Sequence, residues 1–162
     1  MTATPAPTPP LPPIAELAEQ ERRLQFSRFT NDDAWRLGSL LVDLARERAL
    51  AVTVDVRRGE QQLFHFALPG TSADNDAWIE RKIGVVRRYG NSSYLVGRRF
   101  QHQGSSFEEK SRLDPDRYAA HGGAFPILVT DVGLIGTVAV SGLPQAQDHR
   151  LVVEALERFL QA

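Results

Sequence analysis

Hydrophobic residues recur along the chain with two different periods, and each change of period marks a boundary between a helix and a strand. Apolar residues at helical spacing predict four helices, over residues 14–26, 31–48, 74–89 and 144–160. Alternation and short apolar runs predict four strands, over residues 50–57, 63–68, 126–132 and 134–141. Residues 92–100 favour a further helical segment, whereas apolar residues are sparse over 101–123. Such a long excursion predicts a surface loop, and loops of this length are often functional.

The order of these elements predicts the fold class. The strands come in adjacent pairs, so two β-hairpins form and an antiparallel sheet is favoured over a doubly wound parallel sheet. Helices on both faces of that sheet give a three-layer α/β/α sandwich of the α+β class. Residues 14–162 have the usual size of one domain, and we expect them to form a single one.

The N-terminal residues 1–13 differ in composition from the rest of the chain. They contain six prolines, which oppose both helix and sheet formation. We expect a disordered tail with a polyproline II bias. A passive tail is favoured, and a ligand for an SH3-like partner is the alternative. The segment lacks the basic and apolar regions of a secretory signal.

Composition excludes several function classes. The chain has no cysteine, so disulfides, thiol nucleophiles and cysteine-ligated metal sites are excluded. A net charge of −1 gives no electrostatic footprint for nucleic acid or an anionic membrane. No apolar run approaches the ~20 residues of a membrane span. We therefore expect a cytoplasmic protein that binds neither nucleic acid nor membrane.

Two glycine segments are candidates for ligand contact. Gly122 and Gly123 follow His121 directly before a strand, and their backbone could form an anion-binding nest, although a tight connection explains them as well. Ser141 ends another strand and leads through a glycine turn to a helix N-terminus. This arrangement suits an anion, or Ser141 is only a helix cap followed by an ordinary polar face.

Histidines and basic residues supply the remaining candidates. His65 lies within an apolar strand, where it is either a satisfied core group or part of an apolar cofactor pocket. Arg81 and Lys82 on the third helix form either a solvated face or a basic wall for carboxylates or phosphate. No zinc-ligand spacing, phosphate loop or GxSxG nucleophile elbow occurs.

Several of these motifs together resemble the haem-degrading-domain superfamily, which includes GlcG-like, HbpS-like and PduO C-terminal proteins. The similarity is greatest to an uncharacterised UPF branch of small bacterial and fungal proteins. It rests on the stretches 33–38, 63–71, 74–82, 118–126 and 133–149. The resemblance implies a profilin-like sandwich, a homo-oligomer of two or more subunits, and binding of haem or a related tetrapyrrole. Without a CxxCH motif, any haem is bound non-covalently.

Three functions follow as hypotheses. The first is binding of an anionic, partly aromatic small molecule, with haem as the specific candidate cofactor. Its predicted ligand-binding residues are His65, Arg81, Lys82, His121, Gly122, Gly123 and Ser141. The second is a non-catalytic oligomeric adaptor, and the third is a hydrolase using Ser141 and His149.

Overall fold

The computed structural model describes residues 10–161, which form six helices and four strands. The helices are α1 (Ile14–Arg23), α2 (Asn31–Glu47), α3 (Ala73–Tyr89), α4 (Ser93–His102), α5 (Phe107–Ser111) and α6 (Gln145–Gln161). The strands are β1 (Thr53–Arg58), β2 (Gln61–Ala67), β3 (Ala124–Val129) and β4 (Gly133–Ser141). Every predicted helix and strand is present, including the helical segment after residue 92.

The four strands form one antiparallel sheet in the order β2-β1-β4-β3. β1 pairs with β2 in the first hairpin and β3 with β4 in the second, and the two hairpins join through β1 and β4. Helices α2 and α6 cover one face, and α3 covers the other with α4 behind it. The predicted three-layer α/β/α sandwich with an antiparallel central sheet is therefore confirmed.

The two faces of the sheet differ in chemistry. Val54 and Val56 of β1 point into the main hydrophobic core with α2 and α6. The intervening Asp55 and Arg57 are also buried, and they lie under α3. The alternation in β1 predicted one buried face, but both are buried, because Arg57 donates hydrogen bonds to Asp55 and to Glu80 of α3. An internal charge pair thus satisfies the polar residues of the second face.

The two outer strands of the sheet are protected differently. Helix α1 was predicted to reach residue 26, but it ends at Arg23, and Phe26 forms a parallel bridge with Val129 of β3. The Phe26 amide donates to Leu128 and its carbonyl accepts from Thr130. This segment covers the free edge of β3. Among residues 10–161, no strand pairs with the outer edge of β2.

The predicted excursion over residues 101–123 is partly ordered by a small aromatic cluster. Its short helix α5 buries Phe107, whose ring packs edge-on against Phe100 and Tyr89. The following turn at 114–118 lies against α3, where the Ala119 amide donates to the Arg81 carbonyl. The excursion is therefore anchored at both of its ends.

Residues 10–13 of the proline-rich segment lie outside the regular elements. Arg98 of α4 donates a hydrogen bond to the Pro12 carbonyl, and Pro13 precedes the first turn of α1. Residues 1–9 of the predicted tail lie outside the described residues. Within residues 10–161, the helices are too short or too polar to span a bilayer.

Candidate functional site

Three of the predicted site residues line one cavity of about 240 Å³ between α3, the start of α6 and the loop before β3. We call it the α3–α6 cavity. Its walls include Asn75, Trp78, Lys82, His121, Ser141 and Asp148. The cavity lies where β4 ends, so the sheet, two helices and a loop all contribute to it.

A buried ion pair forms the floor of this cavity. The Lys82 ammonium donates to the Asp148 carboxylate at 3.0 Å and to the Val140 carbonyl at 3.1 Å. The two side chains are only 4 % and 2 % exposed. Burial lowers the pKa of Lys82 and raises the pKa of Asp148, while their mutual attraction opposes both shifts. The pair links α3 to α6 across the end of β4.

The Asp148 carboxylate occupies the position that the sequence suggested for an external anion. It accepts a hydrogen bond from the Leu143 amide at 2.9 Å in the turn between β4 and α6, and the backbone at Leu143 and Gly142 opposes the rise of its pKa. Ser141, predicted as an anion ligand or a helix cap, instead accepts a hydrogen bond from Asn75 at 3.4 Å. The turn therefore binds a carboxylate, but the carboxylate belongs to the chain.

The paired glycines make room for this arrangement. Gly123 has a φ of 134°, and a Cβ built on it would lie 2.6 Å from the Lys82 ammonium. The Gly122 amide donates to the Gln145 side chain at 3.0 Å, so this part of the predicted nest is already used. Both glycines are buried behind the cavity and place His121 at its wall.

His121 packs against Trp78 with ring centroids 5.1 Å apart. The Arg81 guanidinium lies over the same indole, 4.3 Å from its centroid, and so beside the cavity. Burial lowers the pKa of His121, Glu108 opposes this shift, and the cations of Lys82 and Arg81 add to it. The imidazole is therefore neutral at pH 7 and keeps a lone pair for coordination.

His65 does not line this cavity. Its two ring nitrogens lie 3.1 Å from Asp55 and 3.0 Å from Asp76, so two carboxylates hold the side chain between β2 and the first turn of α3. Trp78, which contacts His121, is two residues after Asp76, and residues two apart on a helix face different directions. The prediction grouped His65 with His121, but α3 separates them.

His149 and Ser141 do not form a catalytic pair. The His149 ring is buried beside Tyr94 and is hydrogen-bonded through Nε2 to Gln20 at 2.8 Å. Burial lowers its pKa to about 4, which makes it a poor base at neutral pH. The alternative interpretation of the Ser141 segment, a helix cap followed by an ordinary polar face, does not hold at Asp148 and His149, because both side chains are buried.

Sequence reasoning missed two parts of the site. Trp78 was interpreted as an apolar member of its helix, yet its ring contacts both the His121 imidazole and the Arg81 guanidinium. Asp148 entered only as part of the ordinary polar face that was one alternative after Ser141. The available signal was the rarity of lysine, since the chain contains only Lys82 and Lys110. Lys82 lies in one predicted helix and Asp148 in another, where the two could pair.

The cavity can bind a ligand chemically in three ways. The indole offers an aromatic surface, the guanidinium and ammonium offer positive charge, and the imidazole offers a neutral nitrogen donor. Within residues 10–161, no three histidine or acidic side chains are grouped to hold a metal ion alone. A metal at His121 would therefore need most of its ligands from a bound molecule.

Comparisons with known proteins agree with this architecture. A UPF0303 protein from Streptomyces coelicolor is 68 % identical over 152 residues, covering 94 % of this chain and 96 % of that protein. The crystal structure of the Ybr137w protein is 32 % identical with a TM-score of 0.85, covering 92 % and 88 % of the two chains. A PduOC–haem complex shares the fold with a TM-score of 0.66 at 18 % identity, over 80 % of this chain and 93 % of its own.

The family assignment rests on both sequence and structure. The family model for the HbpS-like haem-degrading proteins matches residues 29–157, which span α2 to α6. The UPF0303 relatives match over nearly the whole chain. The resemblance drawn from the motifs is thus confirmed, and the chain belongs to the HbpS-like haem-degrading family, among its UPF0303 members.

Proposed function

We propose that this protein binds a small, anionic and partly aromatic ligand at the α3–α6 cavity, with haem as the specific candidate. The observation that carries the proposal is His121, a half-buried neutral imidazole beside an indole and two cations. Within residues 10–161, His65 and His149 use their ring nitrogens in hydrogen bonds or ion pairs, whereas His121 does not. His102 makes no such contact either, but it lies at the exposed end of α4, so His121 is the histidine at the cavity whose nitrogen is available to a ligand.

The donor set of the cavity fits haem. A neutral imidazole is a standard ligand of haem iron. Arg81 lies over Trp78 and retains N–H groups for a carboxylate after its Nε donates to the Pro115 carbonyl. Lys82 uses two of its three N–H bonds within the chain, so the third is available to the cavity. Haem, when bound, supplies an iron centre, and these residues would hold its propionates and its metal.

The volume of the cavity limits how haem can bind. At about 240 Å³ it is smaller than the ~300–1,000 Å³ of pockets that enclose drug-sized ligands. The cavity therefore does not enclose a whole macrocycle. The family description and the haem complex of a structural relative support haem as the candidate. The lack of cysteine suits a reducing setting, and a cytoplasmic location is part of the proposal.

A spectroscopic titration tests the proposal. Purified protein is titrated with haemin, and we expect a saturable Soret band shifted from that of free haemin. His121→Ala should abolish the shift, whereas His102→Ala, at the exposed end of α4, should leave it unchanged. His65→Ala should also retain it if the protein is folded by circular dichroism. An unshifted band, or a shift that persists in His121→Ala, would overturn the proposal.

An oligomeric adaptor is the second candidate, because an apolar groove of about 490 Å³ lies between α2 and β2. Trp35 is 65 % exposed beside it, and its ring contacts Phe64. The unpaired edge of β2 adjoins the groove, and such edges readily pair with another strand. Light scattering should then give a homo-oligomer that Trp35→Arg weakens. A wild-type monomer at micromolar concentration would contradict it.

A further inference from the structure

A second concave surface lies on the opposite side of Arg81 from the indole. It is a groove of about 710 Å³ between α3 and the turn at 114–118. Arg81, Arg87, Arg88 and Arg117 line it, and we call it the arginine groove. Ala77 and Gly84 of α3 form its floor, which leaves the space between the long side chains open.

The groove has a fixed shape because the turn is held against α3. The Arg81 side chain donates to the Pro115 carbonyl at 2.9 Å, and its own carbonyl accepts from the Ala119 amide at 3.0 Å. A Cβ on Gly84 would lie 2.8 Å from the Arg117 carbonyl, so glycine permits this close approach. The backbone beneath the guanidinium groups is therefore positioned before any ligand arrives.

The charge of the groove is strongly positive. Its wall contains Glu80, but the buried Arg57 already pairs with that carboxylate. Arg87 donates to the Gly59 carbonyl, and its charge also helps to lower the pKa of Glu80. Within residues 10–161, Arg88 and Arg117 belong to no ion pair. The wall of the groove thus has four arginines and two acidic residues, Glu80 and Asp116, in a chain whose net charge is −1.

We propose that the arginine groove binds a linear polyphosphate group, either free or as part of a nucleotide. Guanidinium groups bind phosphate oxygens bidentately. Arg81 and Arg88 are seven residues apart on α3, or about 10 Å along its axis. A single phosphate can contact guanidinium groups that are about one helical turn apart. A chain of linked phosphates is longer and can contact all four guanidinium groups of the groove. The site goes beyond the proposed function, because its other three arginines lie outside the α3–α6 cavity, and Arg81 lies between the two sites.

Trp78 provides a built-in reporter for binding. Arg81 lies over the indole, so a ligand that draws its guanidinium into the groove changes the fluorescence of Trp78. Trp35, the other tryptophan, is removed by Trp35→Phe to isolate this signal. The protein is titrated with tripolyphosphate, ATP, orthophosphate and citrate, and calorimetry checks the stoichiometry. We expect saturable 1:1 binding of tripolyphosphate that weakens as salt increases.

Matched variants decide whether the groove is the site. Arg88→Ala and Arg117→Ala should each weaken tripolyphosphate binding about tenfold, the usual loss for one charge-assisted contact. Arg28→Ala, an exposed arginine elsewhere, removes the same charge and should have no such effect. His121→Ala should also bind normally, which separates this inference from the haem proposal.

The competing anions define the ligand class. Orthophosphate and citrate should each bind at least tenfold more weakly than tripolyphosphate. ATP binding tighter than tripolyphosphate would assign the site to a nucleotide, and weaker binding would assign it to free polyphosphate. Equal binding of citrate, equal losses in Arg28→Ala and Arg88→Ala, or no saturation would each overturn the proposal.

Discussion

Replacement of Lys82 by methionine removes one half of the buried ion pair and should markedly destabilise the protein. Methionine keeps the unbranched apolar stem but leaves the Asp148 carboxylate, only 2 % exposed, without its cation. Removal of one partner from a buried pair typically costs about 3–5 kcal/mol. The Leu143 amide still donates to the carboxylate, so we expect the lower end, about 3 kcal/mol.

Urea denaturation followed by circular dichroism measures this loss. With a slope of about 2 kcal/mol per molar urea, the midpoint should fall by ~1.5 M in Lys82→Met. Lys110→Met is the matched control, because Lys110 is exposed on α5, and it should shift the midpoint by less than ~0.3 M.

A double variant separates the ion pair from simple packing. Asp148→Asn retains an oxygen that can accept from the Leu143 amide but removes the carboxylate charge. The double variant with Lys82→Met contains no unpaired charge, so we expect it to be more stable than either single variant. A loss below ~1 kcal/mol in Lys82→Met, or strictly additive losses in the double variant, would refute the reasoning.

Three further predictions concern other parts of the fold. Burial lowers the pKa of His149 from ~6.5 to about 4, so the unfolded chain binds more protons than the folded chain between these pH values. The free energy of unfolding should therefore fall by roughly 3 kcal/mol as the pH drops through this range. This loss of stability at acid pH should be smaller in His149→Gln and unchanged in His102→Gln. Urea midpoints measured at several pH values test this. Replacing glycine by alanine within a helix normally stabilises it by about 1 kcal/mol. In Gly97→Ala the new Cβ would overlap the Ala120 carbonyl, so the thermal midpoint should decrease instead of increasing. Thr30→Ala removes the capping box of α2 and should cost about 1 kcal/mol in the same thermal assay, whereas a change below ~0.3 kcal/mol would contradict the assigned cap.

The architecture could be predicted because each element carries its own pattern. The stripe in α2 and the alternation in β1 are local signals, and pairs of adjacent strands indicate hairpins. Helix starts were predicted to within one residue, but the capping residue of α2 was not. Asn31 and the residues after it were expected to cap α2, but the cap is Thr30, one residue earlier, which bonds with Asp33 in a capping box.

The candidate site could be predicted only in part because its contacts join distant segments. Lys82 and Asp148 are 66 positions apart, and no local pattern shows that one neutralises the other. His65 was placed beside aromatic residues by its sequence neighbours, but strand geometry directs it to the opposite face, where Asp55 and Asp76 hold it. Glycine at 122 and 123 marked the correct loop, since close packing there excludes a side chain.

The covered edge of β3 has a consequence for how copies of this chain can assemble. With the Phe26 segment bonded along β3, the outer edge of β2 is the sheet edge that residues 10–161 leave open for a second molecule to extend the hydrogen-bonded ladder. Two molecules joined there form an eight-stranded sheet whose outer borders are both already closed. Strand-to-strand growth would thus stop at a pair, because the segment around Phe26 prevents fibre formation by this route.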